Sequence, residues 1–179
     1  MANEMLVLGS GNTMANITVS VKSGLPAGKT YPAPKEAFVM DQNGCQYKPH
    51  VFALQVGQPL KVLNSDGVLH NVHALPMVNT EFNKHQPSKG DHMTHTFTAP
   101  EVMVKFKCDV HPWMASWIGV VAHPFFAVSD QSGHFDIKGL PPGTYTVEAW
   151  HEKYGRQSTK VTVADHQDQS IALTFKADS

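Results

Sequence analysis

The sequence predicts an all-β protein, and three observations carry that prediction. No stretch repeats apolar residues at the 3.6-residue helical period, and Pro or Gly interrupts nearly every helical candidate. Short segments that alternate apolar and polar residues recur along the whole chain, separated by turn residues. The 179 residues suffice for one large β-domain or two small ones with a buried core. Many short strands joined by turns point to a sandwich or barrel.

The predicted strands fall, in chain order, at residues 17–21, 51–56, 60–63, 102–106, 117–121, 134–137, 144–149, 158–163 and 170–175. In the first, Ile17-Thr18-Val19-Ser20-Val21 alternates, with the β-branched residues that suit a pleated, half-buried surface. Gly24-Leu25-Pro26-Ala27-Gly28 and Tyr31-Pro32-Ala33-Pro34 then read as linker. Toward the C-terminus, Asp130-Gln131-Ser132-Gly133 is a hairpin signal between Phe126-Ala127-Val128 and His134-Phe135-Asp136-Ile137. Gly139-Leu140-Pro141-Pro142-Gly143 is a rigid connection in which Pro presets φ and Gly permits a positive one. Thr144 to Trp150 alternates cleanly after it.

Composition excludes several classes of function. Hydrophobic residues at 41% against charged residues at 16% mark globular material. A formal net charge of -1 gives no electrostatic case for nucleic acid or an anionic membrane. No apolar run approaches the roughly 20 residues that span a bilayer, so the chain is not expected to be transmembrane. Met1-Ala2-Asn3-Glu4 shows no signal peptide. Hydrolysis lacks a Ser, His and acidic motif, and no paired carboxylates sit at a turn. The unusual counts are 11 His, 8 Met and only 2 Cys, so any role for cysteine comes from individual sites and not from a disulfide scaffold.

One short segment concentrates soft and borderline donors. Cys108-Asp109-Val110-His111-Pro112-Trp113-Met114 places a thiol, an imidazole and a thioether within seven residues, just after a strand ending at Lys107. A tight loop after a strand curls three such side chains toward one point. One further imidazole completes a trigonal copper site with a weak axial ligand, and Leu69-His70-Asn71-Val72-His73 supplies it from upstream. Taken singly, Cys108 reads as a buried structural thiol and Met114 as core packing; the conjunction reverses both readings. On an extended segment His73 faces away from His70, so it reads as a hydrogen-bonding or core histidine and not as a fifth ligand.

These two segments, His-Asn-Val-His upstream and Cys-x-x-His-Pro-aromatic-Met downstream, resemble the amicyanin- and plastocyanin-like blue copper proteins, the cupredoxins. The resemblance covers roughly residues 47–122, including Thr94 to Pro100 and Val102 to Cys108 as the strand pair before the ligand loop. It implies a Greek-key β-sandwich holding one copper ion, with His70, Cys108, His111 and Met114 as ligands. It also implies that Asn71 braces the two ligand loops, its backbone N–H approaching the Cys108 sulfur. One departure stands out: the family's loops usually carry Pro where this chain has Val110, which frees an N–H to bond the sulfur and tune the potential. Pro112, Trp113 and Trp117 flank His111. Packing at the barrel end is their plain role, and in the family such apolar residues form the patch through which electrons leave.

The C-terminal pattern D-x-x-G-x-F-x-I-x-x-L-P-P-G-x-Y-x-V closely resembles the carboxypeptidase regulatory-like, transthyretin-like sandwich. Residues 123–179 are too short to supply that module's first two strands, which residues 5–9 and 15–22 replace. The expected organisation is therefore a copper domain, residues 25–122, inserted into a second sandwich built from residues 1–24 and 123–179. Absence of backbone pairing between residues 15–22 and 123–179 would sink that idea. The simpler alternative keeps residues 1–122 as one domain with a C-terminal appendage.

Cys45 has three readings: a free structural thiol, which is favoured, a thiol near the metal, or a disulfide partner that would consume Cys108. His92, His95, His123, His134, His151 and His166 are scattered singly and default to the surface. The resemblance implies an electron carrier that cycles Cu(I)/Cu(II), not an enzyme. Its partner would be a redox protein, a cytochrome c or a copper- or quinone-linked enzyme. It also implies a periplasmic or otherwise extracytoplasmic setting, with the leader removed or replaced by Met1. The rival readings are a periplasmic copper-binding and delivery protein, and a structural interaction module in a larger redox assembly.

Overall fold

The structure is a computed structural model that describes residues 4–165 and 167–176. Residues 1–3 and 177–179, the ends of the expected second sandwich, lie outside the described residues, as does His166. Among the described residues there are thirteen strands and one 3-10 turn, Ser10–Asn12. The strands are β1 (Thr18–Ser23), β2 (Phe38–Gln42), β3 (Tyr47–Lys48), β4 (Val51–Gln55) and β5 (Pro59–Asn64). Then come β6 (His70–Leu75), β7 (Phe82–Gln86), β8 (His92–Thr96), β9 (Glu101–Lys107) and β10 (Ala115–Val121). The last three are β11 (Phe126–Val128), β12 (Gly143–His151) and β13 (Gly155–Val163). The protein is all-β.

The chain divides into two compact units: Tyr31–Pro124, and Met1–Thr30 together with Phe125–Ser179. Two sheets build the first unit, ordered β4-β10-β9-β6-β7 and β3-β2-β5-β8. Side chains from both sheets fill one core: Met40, Leu60 and Val62 from one, and Leu54, Val72, Val104, Phe106 and Ile118 from the other. In β5 the alternation is clean, with Leu60, Val62 and Asn64 inward. β4 is buried along its whole length and pairs in parallel with β10, in keeping with its unbroken apolar run. β2, β6 and β7 escape the strand pattern because a Pro-rich linker precedes β2 and polar residues are frequent in the others, and β8 overlaps the first member of the strand pair that the resemblance implied at Thr94 to Pro100.

A single sheet forms the second unit, ordered β11-β1-β12-β13. β1 lies between two C-terminal strands: Val19 stands opposite Ala127 on one side and Ala149 on the other. Its core is Ile17, Val19, Val147 and Ala149, with Phe135, Ile137, Val161, Ile171, Leu173 and Phe175 partly buried against it. Ser129 ties the N-terminal segment to this sheet, accepting from the Ile17 N–H (3.0 Å) and donating to the Met14 carbonyl (2.8 Å). At Gly133 φ is +75°, and a Cβ would meet Thr13 Cβ at 2.8 Å, so both conformation and space demand glycine.

Three strand predictions fail. Residues 5–9, expected as a first strand of the second sandwich, form only an isolated bridge between Leu8 and Met14. Residues 134–137 and 170–175 are not strands, although Phe135, Ile137, Ile171, Leu173 and Phe175 alternate with exposed neighbours as a strand would. The alternation reflects side chains packing onto the small core, and that needs an extended backbone but no ladder.

Candidate metal centre

Three connections at one end of the larger unit carry the candidate residues: the β2–β3 hairpin with Cys45, the β5–β6 turn leading to His70, and the β9–β10 loop with Cys108, His111 and Met114. The β9–β10 loop folds back on itself. Met114 N–H donates to the His111 carbonyl at 2.9 Å, and Cys108 N–H to the Met114 carbonyl at 3.4 Å. This tight return brings the Cys108 sulfur within 3.8 Å of His111 Nδ1. Asn64 staples the β5–β6 turn: its amide donates to the carbonyls of Val68 (3.0 Å) and Gln86 (2.9 Å), and its Oδ1 accepts from the Asp66 N–H at 2.9 Å. His70 therefore enters β6 with its ring wholly buried.

The two imidazoles face each other, His70 Nδ1 standing 3.0 Å from His111 Nδ1. His70 Nε2 lies 2.9 Å from Asp66 Oδ2. Burial opposes ionisation of Asp66, but the N–H groups of Cys45 and Gly44 and the His70 ring outweigh it and hold the carboxyl below its ordinary value. An ionised carboxylate only accepts, so His70 Nε2 carries a proton toward Asp66, and Nδ1 is the ring nitrogen that faces the cluster. Burial, and then the neighbouring His70, depress the His111 pKa, which favours the neutral form that ligates metal.

Asn71 braces the cluster as the sequence implied, but by a different atom. Its side-chain Oδ1 meets the Cys108 sulfur at 3.2 Å and accepts from the Asp109 N–H at 2.6 Å. Among the described residues the hydrogen-bonding contacts of that sulfur are Asn71 and His111; the Val110 N–H expected there is not one of them. Tyr47, fully buried below, donates its hydroxyl to the carbonyls of Asn71 and Lys107 and so fastens β6 to β9. Burial, with Cys108 and Asp109 adding to it, keeps that hydroxyl protonated far above its ordinary range.

Asp109 anchors a second network that sequence reasoning missed. Its carboxylate accepts from Lys107 (2.9 Å), His73 Nδ1 (3.1 Å), Asn83 (2.7 Å) and Asn71 (3.0 Å). Lys107 first, then His73 and Asn83, hold it far below the carboxylate range. His73 also bonds Glu81 at 2.9 Å; that carboxylate, with Asp109 behind it, raises the His73 pKa against burial.

Met114 is wholly buried in the core cluster beside Cys108. Trp113 is 48% exposed, its ring centroid 5.2 Å from that of His111, and Pro112 is exposed beside it. Trp117 is half-buried on β10 opposite Lys105, whose ammonium lies over its ring at 5.5 Å.

Cys45 and Cys108 are both free thiols, so the disulfide reading is set aside. The Cys45 sulfur, a ring nitrogen of His70 and one of His111 all lie within 4.8 Å of one another. Nothing in the sequence signalled this closeness beyond the nearness of Cys45 to the first strands of the unit. Two histidines assigned to the surface are not there. His95 sits between the rings of Phe82 and Phe97 (4.2 and 4.7 Å), where burial depresses its pKa. His151 is buried, its Nδ1 accepting from the Lys153 and Tyr154 N–H groups.

A thiol and two imidazoles with facing Nδ1 atoms come together here, with the Met114 side chain buried in the core that also holds Cys108; thiol and imidazole donors suit copper. The carboxypeptidase regulatory-like domain profile matches residues 120–176. No curated protein matches the chain. Among solved structures, it is similar to a purple cupredoxin from Nitrosopumilus maritimus at 22% identity, over 46% of this chain and 97% of that one, with a TM-score of 0.40. A Cu(I) form of an amicyanin variant is similar at 23% identity, over 57% of this chain and 98% of that one, with a TM-score of 0.42. A copper-containing nitrite reductase from Thermus scotoductus follows at 21% identity, over 55% of this chain but 25% of that one, with a TM-score of 0.41. The chain is all-β, and residues 120–176 are similar to the carboxypeptidase regulatory-like domain.

Proposed function

We propose that this chain is an electron-transfer protein holding one copper ion between His70, Cys108, His111 and Met114, in a cupredoxin-like domain of residues 25–122 inserted into a transthyretin-like sandwich of residues 1–24 and 123–179. The observation that carries the proposal is the convergence of His70 Nδ1, His111 Nδ1 and the Cys108 sulfur, at 3.0 and 3.8 Å, inside a hydrogen-bonded frame. The pairing of β1 with β11 and β12 supports the inserted arrangement.

Bound copper supplies a one-electron couple, Cu(I)/Cu(II). The protein's part is to keep the donors in place through that change. Asp66 fixes the His70 tautomer, Asn71 fixes the sulfur, and Tyr47 locks the two strands behind them. Burial of His70, Cys108 and Met114 keeps water from the donors, which lowers the reorganisation that accompanies transfer. A filled set of ligands leaves no open position for substrate, which supports a carrier over an enzyme. Electrons would pass through His111 and the exposed Trp113 to a redox protein such as a cytochrome c or a copper- or quinone-linked enzyme; large rigid aromatics suit such transient contacts. The setting we propose is periplasmic or otherwise extracytoplasmic. Among the described residues no helix is long and apolar enough to cross a membrane.

Copper delivery is the second reading, favoured by the half-buried Cys45 thiol beside the two imidazoles, a site from which a soft ion could be handed on. Spectroelectrochemistry of the copper-loaded chain separates the two. A carrier gives a reversible titration with the one-electron slope of about 59 mV per decade and keeps its metal through repeated cycles. Loss of copper on each reduction would favour delivery and overturn the carrier.

A further inference from the structure

The four-ligand proposal leaves out a second thiol, Cys45, whose sulfur lies within 4.8 Å of a ring nitrogen of each imidazole. We infer that Cys45 is a second thiolate ligand, which makes the centre a site of two nitrogens and two sulfurs with the Met114 thioether beside it. The inference rests on the copper reading of His70, Cys108 and His111.

Distance comes first. Donors about 2.0–2.3 Å from a common ion stand at most about 4.5 Å apart. The Cys45 sulfur and the two ring nitrogens lie within 4.8 Å of one another, against roughly 3.3–3.8 Å for donors set trigonally or tetrahedrally about one ion, so closing on one ion needs shifts of about an ångström. The hairpin is also fastened to the loops of both histidines. Asp66, which bonds His70 Nε2 at 2.9 Å, accepts from the Gly44 and Cys45 N–H groups at 2.8 and 2.9 Å. Trp113, two residues after His111, donates its indole N–H to the Cys45 carbonyl at 3.0 Å. One carboxylate and one indole thus hold Cys45 in register with both imidazoles.

Turn chemistry does not explain a cysteine here. Residue 45 has a φ of +54° and follows Gly44 at +68°, a pair of left-handed positions at which Gly or Asn costs less than Cys. The β2–β3 hairpin would close as well with either, so the sulfur is the property that distinguishes the residue. On binding, the Cys45 S–H bond breaks, its proton passes to solvent and a sulfur–metal bond forms, with no change of oxidation state. Two thiolates favour the softer Cu(I) over Cu(II).

The test reads the thiols directly in the full chain. Differential alkylation with iodoacetamide under anaerobic reducing conditions, followed by mass spectrometry, compares each cysteine with and without Cu(I). We expect Cu(I) to slow alkylation of both Cys45 and Cys108 by about tenfold or more. Co(II) substitution then separates ligation from shielding: Cys45→Ser should cut the thiolate-to-cobalt charge-transfer intensity to about half that of the unaltered chain. Protection of Cys108 alone overturns the inference and leaves the copper site standing; protection of neither thiol overturns both. Protection of Cys45 with undiminished intensity in Cys45→Ser shows shielding without a bond, and also overturns it. The alkylation arm uses the unaltered chain, so poor folding of the variant does not remove the test.

Discussion

The two units of the chain bury different kinds of interior. In Tyr31–Pro124 the core takes large side chains out of water completely, among them Tyr47, Phe97, Phe106, Leu54, Leu60 and Ile118. Buried polar residues, Gln42, Asn64, His70, Asn71 and Gln86, join that core, and their amides tie strands together near the donor cluster. In the other unit the buried hydrophobic cluster is small, Ile17, Val19, Val147 and Ala149, and Phe135 and Phe175 packed against it are only partly covered. If the donors hold copper as proposed, they need the first kind of interior, in which a side chain has neighbours on every side and no free rotamer. Among the described residues the metal-binding group lies in that unit.

Core truncation should break the symmetry between the units most visibly. Phe106→Ala should cost the Tyr31–Pro124 unit about 3–5 kcal/mol, read by segment-resolved hydrogen exchange, with β1, β12 and β13 unaffected. Equal loss in both would mean that they unfold as one body, and the comparison would fail. Asn71→Ala should come next. It strips the acceptor from the Asp109 N–H and the Cys108 sulfur, at a cost of about 1–3 kcal/mol. Copper affinity in a chelator competition should fall about 10–100-fold with it. In the smaller unit, Val147→Ala removes two methyl groups from a core that is already partly open, so about 1–2 kcal/mol is expected from denaturant titration. A loss as large as that of Phe106→Ala would show the small core to be tighter than its burial indicates.

Acid sharpens the contrast with the smallest effect. Asp66, Glu101 and Asp109 in the larger unit all have lowered pKa values, against Asp130 in the other, where the Ser132 hydroxyl and the His134 N–H lower it. A carboxyl whose folded pKa is depressed contributes stability above its ordinary value, and that stability is lost as pH falls through the folded value. The Tyr31–Pro124 unit should therefore weaken more steeply below about pH 4, and Asp66→Asn should flatten part of that limb in an acid titration followed by circular dichroism.

What was legible in the sequence was local. The C-x2-H-x2-M spacing makes Cys108, His111 and Met114 neighbours whatever the fold, and the alternation of Leu60, Val62 and Asn64 states which face of β5 is inward. Contacts made by folding were not. Asp66 draws no attention in the sequence, yet it joins His70 to the Cys45 hairpin. Asp109 reads as a loop residue but gathers His73, Asn83 and Lys107 from β6, β7 and β9. The false strands at 134–137 and 170–175 arise because alternation reports which side chains are covered, and side chains can be covered without a hydrogen-bonded partner strand.

The most direct test of the central claim is the absorption and electron paramagnetic resonance spectrum of the Cu(II)-loaded chain beside Cys108→Ala. The copper-carrier account predicts an intense thiolate-to-copper band and a small hyperfine splitting, both abolished in the variant. A featureless spectrum, or one that the loss of Cys108 leaves unchanged, would contradict it.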